Sequence, residues 1–194
     1  MIKVAAIVEG YGDFHSVPSL IAKIGVALGV PAIAPNPIRS GEWKKLRRPG
    51  DLEKSLDIAA SRNPDLILIL LDLEDDCVVS ELQSHQKRIT EWLSGRSIRI
   101  EFAFIVREYE SIFLSAPSCL GEIDLAKLPH EPESERDAKG HIKRVTGRRY
   151  KETQDQERLT KALDVSEAYR GSRSFRRLCK AVTGLSYASI ELLM

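Results

Sequence analysis

The chain has 194 residues, of which 43% are hydrophobic and 29% are charged, and its formal net charge is +1. These values are typical of one folded domain of ordinary size with a substantial core, and they exclude a wholly disordered chain. The longest apolar run, 66–71, is too short to cross a bilayer, and the N-terminus lacks a basic-then-apolar signal pattern. We therefore expect no contact with membranes and a cytoplasmic location.

The three cysteines, Cys77, Cys119 and Cys179, are odd in number and widely spaced. This pattern matches neither a zinc motif nor a disulfide framework, which favours a reducing compartment.

Charge is unevenly distributed along the chain. Residues 1–136 contain 16 Lys+Arg and 21 Asp+Glu, whereas residues 137–180 contain 13 and 6. An acidic part joined to a basic part suits a protein that binds metal with one surface and a polyanion with another. A chance imbalance on a solvated surface is the alternative.

The first half of the chain alternates between strand and helix patterns. An apolar strand over 3–8 runs into a turn over 9–13, and a helix follows from about Ser16 to Leu28. Prolines limit 30–38 to a short strand or extended segment, the basic residues 44–48 read as a loop, and Asp51 caps the next helix.

The continuously apolar segment 66–71 predicts a buried parallel strand that ends at Asp72. A helix over 78–93 and a strand over 98–106 complete the order β-α-β-α-β-α-β, which predicts a parallel sheet with helices on both faces. Beyond Pro117 the sequence pattern changes, and it predicts a polar loop over 128–139 and two helices near 154–163 and 174–185. We expect an α/β core over 1–116 and a basic, mainly helical extension over 117–194, packed together as one structural unit.

Carboxylates follow three of the four predicted strands. Because the carboxyl ends of parallel strands share one edge of a sheet, we expect these carboxylates to converge there. Hard oxygen ligands of this kind are what Mg²⁺ or Mn²⁺ take, and a cation would relieve their mutual repulsion. The candidate metal ligands are Glu9, Asp72, Glu74, Asp75, Asp76, Glu108 and Glu110. As alternatives, Asp75 and Asp76 cap the following helix and Glu108 is a surface residue.

Four segments carry a resemblance to a known family. The segments IVEGYGDFHSVPSLI, LILILLDLEDDC, VREYESIFL and SRSFRRL together resemble the Toprim-related family called domain of unknown function 4276, over nearly the whole chain. Related Toprim domains occur in topoisomerases, primases and overcoming-lysogenization-defect nucleases. The family pattern is matched at Glu9, Asp72, Arg107, Glu108, Tyr109 and Glu110. The sequence departs from it at Glu74, which stands at the second acid of the D-x-D motif and leaves open whether Asp75 or Asp76 substitutes.

This resemblance implies a Toprim-like, Rossmann-like fold that holds Mg²⁺ or Mn²⁺ and acts on phosphodiesters. Glu9, Asp72 and either Glu74 or Asp75 would hold one or two metals, with Glu9 also a candidate general base or acid. Lys139 falls where the family often has a lysine, and it would stabilise charge in the transition state. Its alternative is an ordinary lysine in a polar loop. Tyr11 ranks below these residues as a nucleophile.

Basic segments supply candidate contacts to phosphate or nucleic acid. At the start of the last long helix, arginine guanidinium groups and backbone N–H groups are suited to bind a phosphate. The basic residues that follow Trp43 are suited to contact a nucleic-acid backbone. The candidates are Lys44, Lys45, Arg47, Arg48, Arg107, Arg173, Ser174, Arg176 and Arg177. The alternative for both segments is a solvated face of charged residues.

Two functions follow. The first is a metal-dependent nuclease that acts on DNA or RNA in a prokaryotic defence system, with an ATPase partner implied by the family. The second is a noncatalytic Toprim-like module that binds a nucleotide or a partner. Primase-like nucleotidyl transfer is weakened because the sequence shows neither a zinc ribbon nor a second large domain. A homodimer remains open.

Overall fold

The computed structural model describes residues 1–73 and 75–194, apart from the side chain of Trp43. A parallel sheet forms its centre, as the sequence pattern predicts. The strands are β1 (Ile2–Val8), β2 (Ala32–Ile33), β3 (Ile38–Arg39), β4 (Leu66–Asp72) and β5 (Arg99–Ile105). The helices are α1 (Tyr11–Ala27), α2 (Asp51–Ala60), α3 (Val78–Trp92), α4 (Ser111–Ser115), α5 (Ala138–Thr146), α6 (Glu157–Ala162), α7 (Val165–Gly171), α8 (Arg173–Thr183) and α9 (Tyr187–Glu191).

The strand order across the sheet is β2-β1-β4-β5, and every pairing is parallel. Two short strands pair with β1 in parallel. β2 pairs with the first residues of β1, and β3 pairs with its last residues. The register places Ile7 opposite Ile69 and Asp72 opposite Ile105. β1, β4 and β5 therefore end at one edge of the sheet, where the residues that follow them meet.

Alternate residues of the strands pack into two apolar layers. Val4, Ala6 and Val8 of β1 face a cluster that includes α1 and the C-terminal helices, whereas Ala5 and Ile7 face a cluster built with α2 and α3. The first cluster continues without a break to Ile190 in α9. Residues 117–194 thus share their core with the sheet, which agrees with an extension packed on it.

Several predicted boundaries are wrong. Helix α1 begins at Tyr11, five residues before the predicted start, because the Asp13 carboxylate accepts the Gly10 N–H and fixes a helical first turn where a turn alone was expected. The basic run after Glu42 forms a 3₁₀ helix, Trp43–Arg47, rather than a loop.

The predicted loop over 128–139 is also too long. The Asp137 side chain accepts the Gly140 N–H at 2.9 Å and caps α5, so Lys139 lies in the first turn of a helix. Helices α4, α5, α7 and α9 were not predicted. Helix α5 has nine residues, and the other three have seven or fewer and show little periodicity. Within the described residues, none of the helices combines the length and apolar character needed to span a bilayer.

Candidate functional site

The site begins where β1 ends. Glu9 is the first residue beyond the buried strand, and Gly10 leads directly into α1. The Gly10 N–H donates to the Asp13 carboxylate at 3.0 Å, which holds that side chain beside Glu9 at the carboxyl edge of the sheet. Burial raises the pKa of Asp13, and the neighbouring Glu152 adds to the rise, although hydrogen bonds from Gly10 and Gln156 oppose it.

Asp72 lies at the end of β4, next to Glu9. Its backbone N–H donates to Oε2 of Glu9 at 3.4 Å, and its carboxylate accepts the Tyr109 N–H at 3.1 Å. Burial raises the pKa of Asp72 well above its usual range, and the charges of Asp13, Glu110 and Glu9 raise it further. Four carboxylates from three strand ends thus repel one another at this position.

Glu110 is buried at the start of α4, beyond the end of β5. The Tyr150 hydroxyl donates to its Oε1 at 2.7 Å, and the Lys139 ammonium lies 3.8 Å away. Burial raises the pKa of Glu110 to about 7, against the opposing effects of Lys139 and Tyr150. Burial also raises the pKa of the nearby Glu108.

Lys139 contacts two of the acids. Its ammonium donates to Glu152 at 2.8 Å in addition to its contact with Glu110. Burial acts to lower the pKa of Lys139, but the charges of Glu110 and Glu152 outweigh it and raise the pKa above its usual value. Lys139 therefore stays protonated, which agrees with its predicted place near the acids.

A short π-helical turn, Glu152–Gln156, completes the site from the C-terminal part of the chain. The buried Gln156 donates from Nε2 to Asp13 at 2.8 Å. Gly12 makes this approach possible, because a Cβ there would lie 1.9 Å from Oε1 of Gln156 and 2.7 Å from Cγ of Glu152. π-Helical turns are found frequently at functional sites.

Arginines line one side of the site. Arg107, just beyond β5, has a left-handed backbone with φ of 72°, a conformation that non-glycine residues rarely adopt and that often marks a functional position. It forms an ion pair with Asp75, and Arg136 contacts the same carboxylate at 2.7 Å. Asp75 thus lies at the rim, between two cations.

Together these groups enclose a cavity of about 490 Å³, here called the acid cavity. It is lined by Glu9, Gly10, Asp13, Glu42, Asp72, Asp75, Arg107, Glu108, Tyr109, Glu110, Arg136, Lys139, Glu152 and Gln156. The predicted convergence of Glu9, Asp72 and Glu110 is confirmed. Within residues 1–73 and 75–194, no three His, Cys, Asp or Glu side chains already stand in the arrangement of a metal site.

Among the described residues, one predicted metal ligand, Asp76, is not brought into the acid cavity. Asp76 points away and pairs with Arg47 at 3.1 Å, because Arg47 is also held by the buried Glu81 of α3. Glu74 lies outside the described residues. Tyr11, the lower-ranked nucleophile, is exposed and stacks under the Arg39 guanidinium at 3.6 Å.

The basic segments predicted to bind phosphate lie outside the acid cavity, except Arg107. Arg47 is engaged by Asp76 and Glu81, while Lys44, Lys45 and Arg48 are exposed. At the start of α8, Ser174 is buried and its hydroxyl accepts the Val106 N–H. Its own N–H donates to Glu133, so a carboxylate of the chain already occupies the position predicted for phosphate.

The remaining residues of that segment divide in two. Arg176 donates to the carbonyl oxygens of Tyr169 and Arg170, at the end of α7, because these carbonyls lack helical partners. Arg173 and Arg177 are exposed. The structure therefore does not assemble the four residues 173, 174, 176 and 177 into one anion site.

Five side chains of the acid cavity are not among the predicted site residues: Asp13, Glu42, Arg136, Glu152 and Gln156. Asp13 lies in a segment whose sequence predicts a turn, and its place in the site follows only once the helix is known to begin at Tyr11. Glu152, Gln156 and Arg136 lie far along the chain and reach the cavity only through packing of the C-terminal helices.

Comparisons of the chain with protein-family models, with curated proteins and with solved structures gave no match. The resemblance to Toprim-related proteins therefore stays an interpretation of the motifs.

Proposed function

We propose that the chain is a Mg²⁺- or Mn²⁺-dependent phosphodiesterase that cleaves nucleic acid. The observation that supports this proposal is the meeting of Glu9, Asp72 and Glu110 in one cavity, where burial and mutual repulsion raise the pKa of Asp72. Mutual repulsion between carboxylates in a cleft makes folding less favourable unless a bound cation offsets it. Such clusters are therefore candidate functional sites.

The donor chemistry fits a hard divalent cation. Among the residues that the structure describes, the lining of the acid cavity offers carboxylate oxygens and includes neither cysteine nor histidine. Such a donor set suits Mg²⁺ or Mn²⁺ rather than zinc. Glu9, Asp72 and Asp13 would hold the ion, with Glu110 beside them. A bound ion of this kind lowers the pKa of a water molecule and neutralises charge on a phosphoryl oxygen.

Residues of the chain supply the rest of the chemistry. The protonated Lys139, within 3.8 Å of Glu110, stands where it would offset negative charge on a phosphate oxygen as the leaving group departs. Glu9, which accepts the Asp72 N–H at 3.4 Å, would accept a proton from the attacking water. Arg107 and Arg136 fix Asp75 at the rim, where their charges face an incoming anion.

The resemblance suggests a role in prokaryotic defence beside an ATPase partner, with a homodimer still open. A cytoplasmic location is part of the same proposal, because Cys77, Cys119 and Cys179 are all thiols in the described part of the chain.

The test is cleavage of plasmid DNA, single-stranded DNA and RNA in Mg²⁺, Mn²⁺ or EDTA. We expect cleavage with the metals only, and a loss of at least about 10³-fold in rate for Asp72→Asn, since a metal ligand supplies several kcal/mol of transition-state stabilisation. Glu122→Gln, which removes an exposed acid that is not among the residues lining the cavity, is the matched control and should cut normally. A wild-type protein that binds nucleic acid but cuts nothing, even with the ATPase partner and nucleotide present, would support the noncatalytic regulatory module instead.

A further inference from the structure

A pair of arginines follows α5, close to the acid cavity. The helix ends at Thr146, and Gly147 adopts the left-handed conformation with φ of 65° that turns the chain away from the helix axis. Arg148 and Arg149 come next, and both are exposed. Within residues 1–73 and 75–194, neither guanidinium has a carboxylate within ion-pair distance.

These two arginines line a second, smaller cavity of about 90 Å³, here called the arginine pocket. Arg158 lines it as well, and its guanidinium is 2.8 Å from Asp155. The complete lining is Leu120, Ile142, Thr146, Arg148, Arg149, Tyr150, Asp155, Arg158 and Leu159. Three cations against one carboxylate leave a net positive pocket. Its volume is well below the roughly 300–1,000 Å³ of sites for whole small molecules, so it suits one small anionic group.

Tyr150 connects the arginine pocket to the acid cavity. Its side chain lines the arginine pocket, while its hydroxyl donates to Glu110 at 2.7 Å in the acid cavity. Tyr150 thus links the lining of the arginine pocket to a carboxylate that lines the acid cavity.

A polyanion needs positive charge close to a cavity lined by carboxylates. Guanidinium groups bind phosphate through paired N–H donors, and within the described residues those of Arg148 and Arg149 have no carboxylate to displace. Arg47 and Arg176, by contrast, are held within the chain by carboxylates or carbonyl oxygens. The arginine pocket also brings three guanidinium groups to one cavity, which residues 173, 174, 176 and 177 do not.

We propose that Arg148, Arg149 and Arg158 bind a backbone phosphate of the polynucleotide strand whose scissile phosphate lies in the acid cavity. The inference rests on the proposed function for the identity of the strand. It places the strand across Tyr150, from the arginine pocket to Lys139.

The test measures binding without cleavage. Fluorescein-labelled single-stranded DNA and RNA of about 16 nucleotides are titrated with the full chain in EDTA over a range of salt concentrations. The variant is Arg148→Gln with Arg149→Gln. The matched control is Lys54→Gln with Lys87→Gln, which removes the same charge from two exposed lysines on α2 and α3, on the opposite face of the sheet.

We expect the arginine variant to bind more weakly and the slope of log Kd against log salt to fall by about 0.7 to 1.4, the value for one or two lost phosphate contacts to a single strand. The lysine variant should keep the wild-type slope. An unchanged slope in the arginine variant, an equal fall in both variants, or a wild-type protein that binds neither strand would overturn the proposal.

This binding experiment and the cleavage experiment can fail separately. Arginine-dependent binding by a protein that never cuts with any metal rejects the nuclease and leaves the strand-binding surface standing. Metal-dependent cutting with an unchanged salt slope rejects the surface alone.

Discussion

The side-chain amide of Gln156 donates to the carboxylate of Asp13 at 2.8 Å, across 143 positions of the chain. One residue belongs to the C-terminal π-helical turn and the other to the first turn of α1. The C-terminal extension therefore contributes more to the acid cavity than the predicted Lys139, and it orients one of the carboxylates.

Removing the Gln156 amide should weaken both the fold and the site. Gln156→Ala removes the donor to Oδ1 of the half-buried Asp13 carboxylate, which keeps only the Gly10 N–H on Oδ2, and it opens a void. We therefore expect a loss of about 1–3 kcal/mol in the free energy of unfolding. Gln154→Ala, in the same turn but exposed, should change it by less than about 0.5 kcal/mol. Urea unfolding measures both. Equal stability of the two variants would show that the contact has no energetic role.

A divalent cation should stabilise the folded protein. Because the cation binds the folded state only, Mn²⁺ at about 100 times its Kd adds about 2.7 kcal/mol, which raises the Tm of a chain of this size by roughly 5–10 °C. Glu9→Gln and Asp72→Asn should lose this shift and be no less stable than the wild type without metal, since each removes a repelling charge. The Tm of the wild type and of both variants is measured with and without Mn²⁺. A full Tm shift in both variants would show that the cation binds elsewhere.

Glu110 should make stability depend on pH. Burial raises its pKa from 4.5 to about 7, so the folded protein holds this proton more tightly than the unfolded chain. The contribution is complete below about pH 4.5 and is lost as the pH rises towards 7, with a size of up to about 3 kcal/mol. The raised pKa values of Asp13, Asp72 and Glu108 act in the same direction.

Glu110→Gln isolates this contribution, because its neutral amide resembles the protonated acid. We expect wild-type stability, measured by urea unfolding without metal, to fall more steeply than that of the variant between pH 5 and pH 8. The exposed Glu122→Gln should follow the wild type. Parallel curves for wild type and Glu110→Gln would contradict the prediction.

Lys139 should act on the rate more than on binding. Its ammonium contacts the carboxylates of Glu110 and Glu152, where it would face the leaving oxygen of a phosphate. Lys139→Gln should lower kcat for oligonucleotide cleavage by about 10²- to 10³-fold, the effect of removing one transition-state donor, with a much smaller change in KM. Lys54→Gln is the control. A variant that changes KM alone would make Lys139 a binding residue.

The sequence predicts the parts of this fold that obey simple periodicity. The continuous apolar run of β4 and the acids after β1, β4 and β5 follow from strand burial and from the shared edge of a parallel sheet, and these are correct. The start of α1 could not be read in the same way, because the residue that fixes it, Asp13, is polar and follows two glycines in a segment that resembles a turn.

The basic segments show a second limit of sequence reasoning. Charge alone does not distinguish an arginine that neutralises a carboxylate of its own chain, as Arg47 does, from one without such a partner, as Arg149 is within the described residues. The sequence at the helix start near Ser174 predicts a phosphate site, but in the folded chain the Ser174 N–H donates to the Glu133 carboxylate. Contacts of this kind depend on tertiary structure and leave no local pattern.

The anomalous difference density of Mn²⁺ in crystals of the protein would locate the metal site itself. We expect a peak inside the acid cavity, at about 2.1 Å from carboxylate oxygens of Glu9 and Asp72, and no such peak in crystals of Asp72→Asn. Crystals grown in saturating Mn²⁺ that show no peak between Glu9 and Asp72, or a peak that persists in Asp72→Asn, would contradict this expectation.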